Sequence, residues 1–264
     1  MTQSAETPLR FDDVATDPPR LRPLDAAMDL VDFAITTWAV EPRRVRSYVP
    51  ERFDLDSREI DSEPFAFVSM VTYRYDRLRL HVAPFVRLSF AQTNYRVYVV
   101  DRASGQRCVW FLGFTIDARV LAPAAKLIGV PVTRGHTRIE ASLAASAEPT
   151  YRVVTTAPGH NAELTLAGRV TTTMAGFPDT ETGVVSLSHE SVGFYPRPRG
   201  GHRRVRVWHP PMCPISLAAV SARIQPLHET GIVPLHRQNE PHSVLIQARL
   251  EFVALGPWPG RRSA

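Results

Sequence analysis

Of the 31 lysines and arginines in the chain, a single residue is lysine: Lys126, in Leu121-Ala122-Pro123-Ala124-Ala125-Lys126-Leu127-Ile128-Gly129-Val130-Pro131. A lysine attacks a carbonyl only as the free amine, and an apolar setting or a nearby positive charge favours that form. The neighbours of Lys126 are alanine, leucine and isoleucine, with no acid beside them. Lys126 is therefore the candidate catalytic nucleophile, an amine able to form an iminium with a ketone or aldehyde. The competing reading is a lysine snorkelling from the surface of a short helix. Pro123 suits the start of that helix, Gly129 a left-handed cap and Pro131 its stop. Within about one turn of the helix start a positive charge is disfavoured, and the amine is expected to turn toward the protein interior.

A second constellation is Asn94, Arg96 and Tyr98, which alternation places on one face of a strand, opposite Tyr95, Val97 and Val99. On a cavity wall, Arg96 could hold a carboxylate or polarise a carbonyl, with Asn94 and Tyr98 orienting the ligand. The bland alternative is a solvated face with the valines in the core. Trp110 and His136 complete the substrate-binding candidates, with His136 able to shuttle a proton. Asp117 reads as a turn cap or, less simply, as an acid partner for Lys126. His202, His209, His236 and His242 match no standard ligand spacing, so no metal is expected, and no other cofactor either. A Gly-x-Ser-x-Gly elbow and a glycine-rich phosphate loop are both absent.

These side chains need a scaffold, and the local patterns are mostly of period two. Residues 65–73, 94–100, 108–116, 137–143, 151–156, 162–173, 203–208 and 243–253 read as strands. The polar, Gly-containing stretch Asp101 to Gln106 joins two of them as a hairpin. Glu41 to Tyr48 and Leu121 to Pro131 read as short helices. Many strands with few helices predict a mainly β (α+β) fold: a curved antiparallel β-barrel or cone with a central cavity. Residues 1–27 read as a peripheral arm, 28–256 as the barrel domain and 257–264 as a tail.

Composition narrows the function classes. With 264 residues, 44% hydrophobic and 22% charged, the chain can bury a substantial core and is not a disordered sequence. No run reaches the ~18 apolar residues of a membrane span, and the N-terminus lacks a signal-peptide core. Two distant cysteines, Cys108 and Cys213, suit a reducing, cytoplasmic setting. The net charge of +5 rests on scattered arginines without a nucleic-acid-binding signature, so the partner is expected to be a small molecule and neither nucleic acid nor membrane. A homo-oligomer is left open.

The segment from Asp32 to Trp38, followed by Glu41-Pro42-Arg43-Arg44-Val45-Arg46-Ser47-Tyr48-Val49-Pro50-Glu51-Arg52-Phe53-Asp54-Leu55-Asp56, resembles the opening of acetoacetate decarboxylase. Lys126-Leu127-Ile128-Gly129-Val130-Pro131 is similar to that family's Lys-Lys-Leu-Gly-Tyr-Pro stretch, whose first lysine forms a Schiff base and aligns with Lys126. Asn94-Tyr95-Arg96-Val97-Tyr98, Trp110-Phe111-Leu112-Gly113-Phe114 and His209-Pro210-Pro211 resemble an uncharacterised branch of the acetoacetate decarboxylase-like superfamily more closely than the decarboxylase itself. The resemblance spans roughly residues 30–255 and implies a cone-like barrel around a small-molecule cavity. It implies a lyase or decarboxylase acting on a keto acid or related carbonyl compound through Lys126. The sequence departs from the decarboxylases at Leu127, which replaces their second lysine, and in having no glutamate between Glu63 and Glu140. The alternatives are a pocket enzyme forming no covalent bond, such as an isomerase or cyclase, and a non-catalytic ligand-binding barrel.

Overall fold

The computed structural model describes residues 17–127, 129–143, 148–170 and 173–256. The tail expected over 257–264 and most of the N-terminal arm lie outside the described residues. In chain order the elements are β1 (Ala26–Val40), α1 (Pro42–Arg46), β2 (Phe53–Leu55), β3 (Arg58–Ile60), β4 (Glu63–Leu80), β5 (Ala83–Asp101), β6 (Arg107–Ile116), α2 (Leu121–Leu127), β7 (Val132–Arg134), β8 (His136–Ser142), β9 (Thr150–Thr156), β10 (Ala162–Arg169), α3 (Thr180–Ser188), β11 (Val192–Pro196), β12 (His202–Trp208), β13 (Leu217–Ile224), α4 (Gln225–Glu229), α5 (Leu235–Gln238) and β14 (Ser243–Leu255).

The larger sheet has ten strands in the order β2-β5-β4-β1-β14-β12-β11-β6-β7, with β3 paired to β4 off this path, and a further pairing of β5 with β6 closes a ring. Closure leaves the ring strands without free edges. The mainly β fold expected from the alternating runs is present. One detail differs: the pairings β6–β11 and β6–β7 are parallel, where an all-antiparallel barrel was expected. For β6 and β7 the reason is connectivity, because α2 carries the chain back over the sheet between them, as parallel neighbours require. A second sheet, β13-β10-β9-β8, packs against the ring.

The hairpin expected around Asp101 to Gln106 forms, with Val99 opposite Cys108 and Val97 opposite Trp110. Both of its strands are longer than the alternating runs that announce them. β1 starts at Ala26, inside the stretch read as peripheral. Just before it Asp25 is buried, its carboxylate accepting hydrogen bonds from the amides of Arg22 at 2.7 Å and Gly256 at 2.8 Å. β10 stops at Arg169, short of the expected 173.

Two cores lie on opposite faces of the ring strands. One joins Trp38, Tyr95, Val97 and Trp110 to Tyr151, Val153, Leu164 and Leu166 of the second sheet. The other joins Ile35, Phe67, Val71, Tyr98 and Val109 to Val184 and Leu187 of α3. Every residue of α3 from Thr182 to Ser188 is buried. Asp179 caps this helix, accepting from the Thr182 amide at 2.7 Å.

Candidate functional site

Alternation along β5 decides what each face of the ring receives. Asn94, Arg96 and Tyr98 point to the α3 side, and Tyr95 points to the second sheet. The register of β5 against β6 shifts between Tyr95 and Arg96, so that Tyr95 faces Gly113 and Arg96 faces Phe111, with Leu112 as the extra residue. A bulge of this kind re-aims side chains locally.

On the α3 side the three polar residues are buried, Arg96 at 8% exposure and Asn94 at 4%. The Tyr98 hydroxyl donates to the carbonyl of Leu187 at 2.7 Å, and an Arg96 amino group donates to the same oxygen at 3.0 Å. Behind them a chain of hydroxyls runs from Tyr98 to Ser69 at 2.9 Å and on to Thr37 at 2.7 Å. Gln92 donates to the Tyr73 hydroxyl at 2.6 Å. The set is incomplete: Arg96 Nε and Asn94 Oδ1 are buried without a hydrogen-bond partner. Among the described residues, no carboxylate forms an ion pair with Arg96. A buried guanidinium in this state is a costly arrangement unless an anion arrives.

The groups near Arg96 carry shifted proton affinities. Glu190 follows the end of α3, with its side chain 7% exposed and Oε1 at 3.7 Å from Arg107 Nε. Burial pushes its carboxyl up to about 7, against the pull of Arg107, Arg96 and Arg58. Arg107 also binds Asp56 at 2.5 Å, and Asp56 in turn pairs with Arg58 at 3.1 Å. His189 and His209 stack with ring centroids 4.4 Å apart. Burial pushes His189 down to about 3 and lowers His209 as well.

On the opposite face of the ring is a cavity of about 470 Å³ lined by Tyr48, Tyr95, Trp110, Leu112, His160 and Leu227 among others. Trp110, a sequence candidate, is part of its wall.

The remaining two candidates sit elsewhere. Lys126 is the sixth residue of α2 and is exposed, as is Leu127. This corrects the expectation of an inward, desolvated amine. The face of α2 that packs on Phe114, Ile116 and Val132 is made by Ala122 and Ala125, and Lys126 falls at the edge of that stripe. It lies in the last turn, at the carbonyl end of the helix and not the amide end. The cap itself is as expected: Gly129 has φ +85°, and its amide and that of Val130 bond back to the carbonyls of Lys126 and Ala125, both at 3.0 Å. His136 is exposed at the surface and pairs with Asp117 at 3.0 Å. Asp117 also accepts from the Thr137 amide at 3.1 Å, so it ties β6 to β8 and does not approach Lys126 as a partner.

Sequence reasoning missed Glu190, Tyr95 and His160. Glu190 follows α3, which itself gave no amphipathic signal, and His160 lies in the Pro158-Gly159-His160-Asn161 turn, which reads as an ordinary loop.

The fold, a closed strand ring with a second sheet, is shared with solved acetoacetate decarboxylases and related enzymes. More particularly, the chain belongs to the DUF2071 family, described as an uncharacterized conserved protein (COG2071), whose profile matches residues 27–250. Among solved structures it is similar to acetoacetate decarboxylase from Legionella pneumophila, at 12% identity and TM-score 0.56, covering 97% of this chain and 95% of that one. It is similar to an acetoacetate decarboxylase-like enzyme from Sphingomonas wittichii RW1, at 9% identity and TM-score 0.55, covering 91% and 94%. It also resembles the enduracididine biosynthesis enzyme MppR complexed with pyruvate, at 12% identity and TM-score 0.53, covering 89% and 88%. No curated protein matches the sequence. Among the described residues no helix is long and apolar enough to cross a membrane.

Proposed function

We propose that this protein is an enzyme acting on a small keto acid, bound through its carboxylate to Arg96 on the α3 side of the ring. The observation that carries the reading is the buried Arg96 guanidinium, with Nε unpartnered and no carboxylate paired to it among the described residues. A planar guanidinium is matched by a carboxylate through two parallel hydrogen bonds. Asn94 Oδ1, also unpartnered, accepts from a hydroxyl or enol of the ligand. MppR, which shares the fold, forms a complex with pyruvate, a ligand of this chemical class.

The reaction class we infer is proton transfer next to the ketone. Glu190, held near neutrality by burial, takes a proton from the carbon beside the carbonyl and becomes the acid. The charge moves onto the carbonyl oxygen, where Arg96 stabilises the enolate. Glu190 then returns the proton, to the same carbon or to another one, so the step balances and suits an isomerase or a cyclase. Lys126 stands outside this chemistry in our reading, because an exposed lysine at the edge of α2 has no desolvated setting.

The test is exchange of the C3 protons of pyruvate with deuterium from solvent, followed by proton NMR. The wild type should accelerate exchange and Glu190→Gln should not. Exchange at the uncatalysed rate with the wild type would refute the proton-transfer reading. A borohydride-stable adduct on Lys126 would replace it with the iminium route.

A further inference from the structure

Two neutral polar atoms are stranded beside the cavity on the second-sheet side. Tyr95 is 1% exposed, and its hydroxyl has no hydrogen-bond partner. His160 Nδ1, on the turn between β9 and β10, is also buried without a partner. The two rings stand 6.3 Å apart, centroid to centroid, and both line the cavity of about 470 Å³. A buried hydroxyl or imidazole left without a partner is unfavourable, and most such atoms in folded proteins are satisfied. Two of them at one cavity mark the polar end of a ligand site.

We infer that this cavity is a second binding site, separate from Arg96, for an uncharged, mostly apolar small molecule carrying one hydroxyl group. The hydroxyl oxygen accepts from Tyr95 Oη, and its proton is donated to His160 Nδ1. A single hydroxyl can serve as donor and acceptor together, which a ketone or an ether cannot. The body of the ligand lies against Trp110, Leu112, Pro226 and Leu227. The volume falls in the range of small-molecule sites, about 300–1,000 Å³.

Charge excludes a carboxylate here. The lining contains no arginine or lysine, and Glu229 contributes an acid at the wall. Burial keeps the Tyr95 phenol protonated and lowers His160, so both are neutral at neutral pH. The two faces of β5 therefore sort ligands by charge: Arg96 serves an anion, and Tyr95, one residue earlier and on the opposite face, serves a neutral molecule. On the cavity wall the Tyr48 hydroxyl donates to the Thr230 carbonyl at 2.8 Å.

The probe is 2-naphthol, titrated into the full chain and followed by calorimetry, with 2-naphthoate as the charged comparison. Saturable binding of 2-naphthol is expected, with 2-naphthoate at least about tenfold weaker, because a buried charge would lack a partner. Tyr95→Phe should weaken 2-naphthol by about five- to tenfold, the loss expected for one hydrogen bond. The same variant should melt no lower than the wild type without ligand, since it removes a stranded hydroxyl. Excess pyruvate should not displace 2-naphthol. The inference is overturned if 2-naphthol fails to bind at millimolar concentration, if 2-naphthoate binds as tightly, or if Tyr95→Phe binds as the wild type does. It is also overturned if Tyr95→Phe lowers the melting temperature of the free protein, because the hydroxyl would then have a structural partner.

Discussion

The Tyr98 hydroxyl donates to the backbone carbonyl of Leu187 at 2.7 Å and so ties the C-terminal part of β5 to the last turn of α3. α3 is buried from Thr182 to Ser188, and this bond, shared with Arg96, is a polar fastening between it and the ring. A carbonyl near a helix end lacks an intrahelical donor, and here two side chains supply one. Glu190 follows Leu187 three residues on, and its Oε1 lies 3.7 Å from Arg107 Nε.

Replacing Tyr98 with Phe removes a donor from Leu187 and a partner from Ser69, both in a buried setting. The expected cost is about 1–3 kcal/mol. Urea unfolding measures it, and an unchanged midpoint would show that Arg96 alone suffices to hold α3.

Glu190 makes stability depend on pH in a definite direction. Its folded-state pKa of about 7 lies above the ordinary 4.5, so the folded state binds the extra proton between these values. The Glu190 contribution to stability therefore falls as pH rises through this window and levels off above about 7. The size is at most about 3 kcal/mol, because each tenfold change in proton affinity is worth about 1.4 kcal/mol. Glu190→Gln should remove this downward slope, and denaturant midpoints measured across the same pH window read it directly. An identical slope in the variant would place the titration elsewhere.

Lys126→Arg and Lys126→Ala should retain the fold and the deuterium-exchange activity, because the side chain is exposed on α2. Their effect on stability should stay within about 0.5 kcal/mol. Loss of activity in Lys126→Arg, with a normal melting curve, would bring the amine back into the chemistry, since arginine cannot form an imine.

Gly193 on β11 lies where β11 runs parallel to β6, with Gly193 opposite Val109. A methyl group there would collide with the Phe111 ring and meet Val109 at 3.1 Å. Gly193→Ala should destabilise the protein by about 1–3 kcal/mol through overpacking. Thermal unfolding checks this, and a neutral result would mean that Phe111 swings away at no cost.

The strands were legible where one property alternated: Asn94 to Val100 and Cys108 to Ile116 announce the hairpin, and the Gly-containing turn between them fixes its sense. The face of β5 was not legible, because both faces are buried and each receives tyrosines or valines. α3 was hidden for a related reason. Thr180-Glu181-Thr182-Gly183-Val184-Val185-Ser186-Leu187-Ser188 is rich in β-branched residues and has no polar stripe, since every residue from Thr182 onward is buried. The lysine misled because its helix was read correctly from Gly129 and Pro131 while its orientation was not. In so short a helix, the two alanines that touch the sheet decide which side chains turn outward. Glu190 and Arg96 become a candidate site only when α3 brings them together, a relationship of tertiary structure that no local pattern carries.

The central claim is that Arg96 is the carboxylate anchor, and calorimetric titration of pyruvate and acetoacetate into the wild type and Arg96→Met tests it most directly. Arg96→Met should fold, because a buried, unpaired cation is replaced by an apolar chain of similar length. The wild type should show saturable binding of a keto acid that Arg96→Met weakens at least about tenfold, the scale of a charge-assisted pair. Equal affinity in a folded Arg96→Met variant, or no binding of either acid by the wild type, would contradict it.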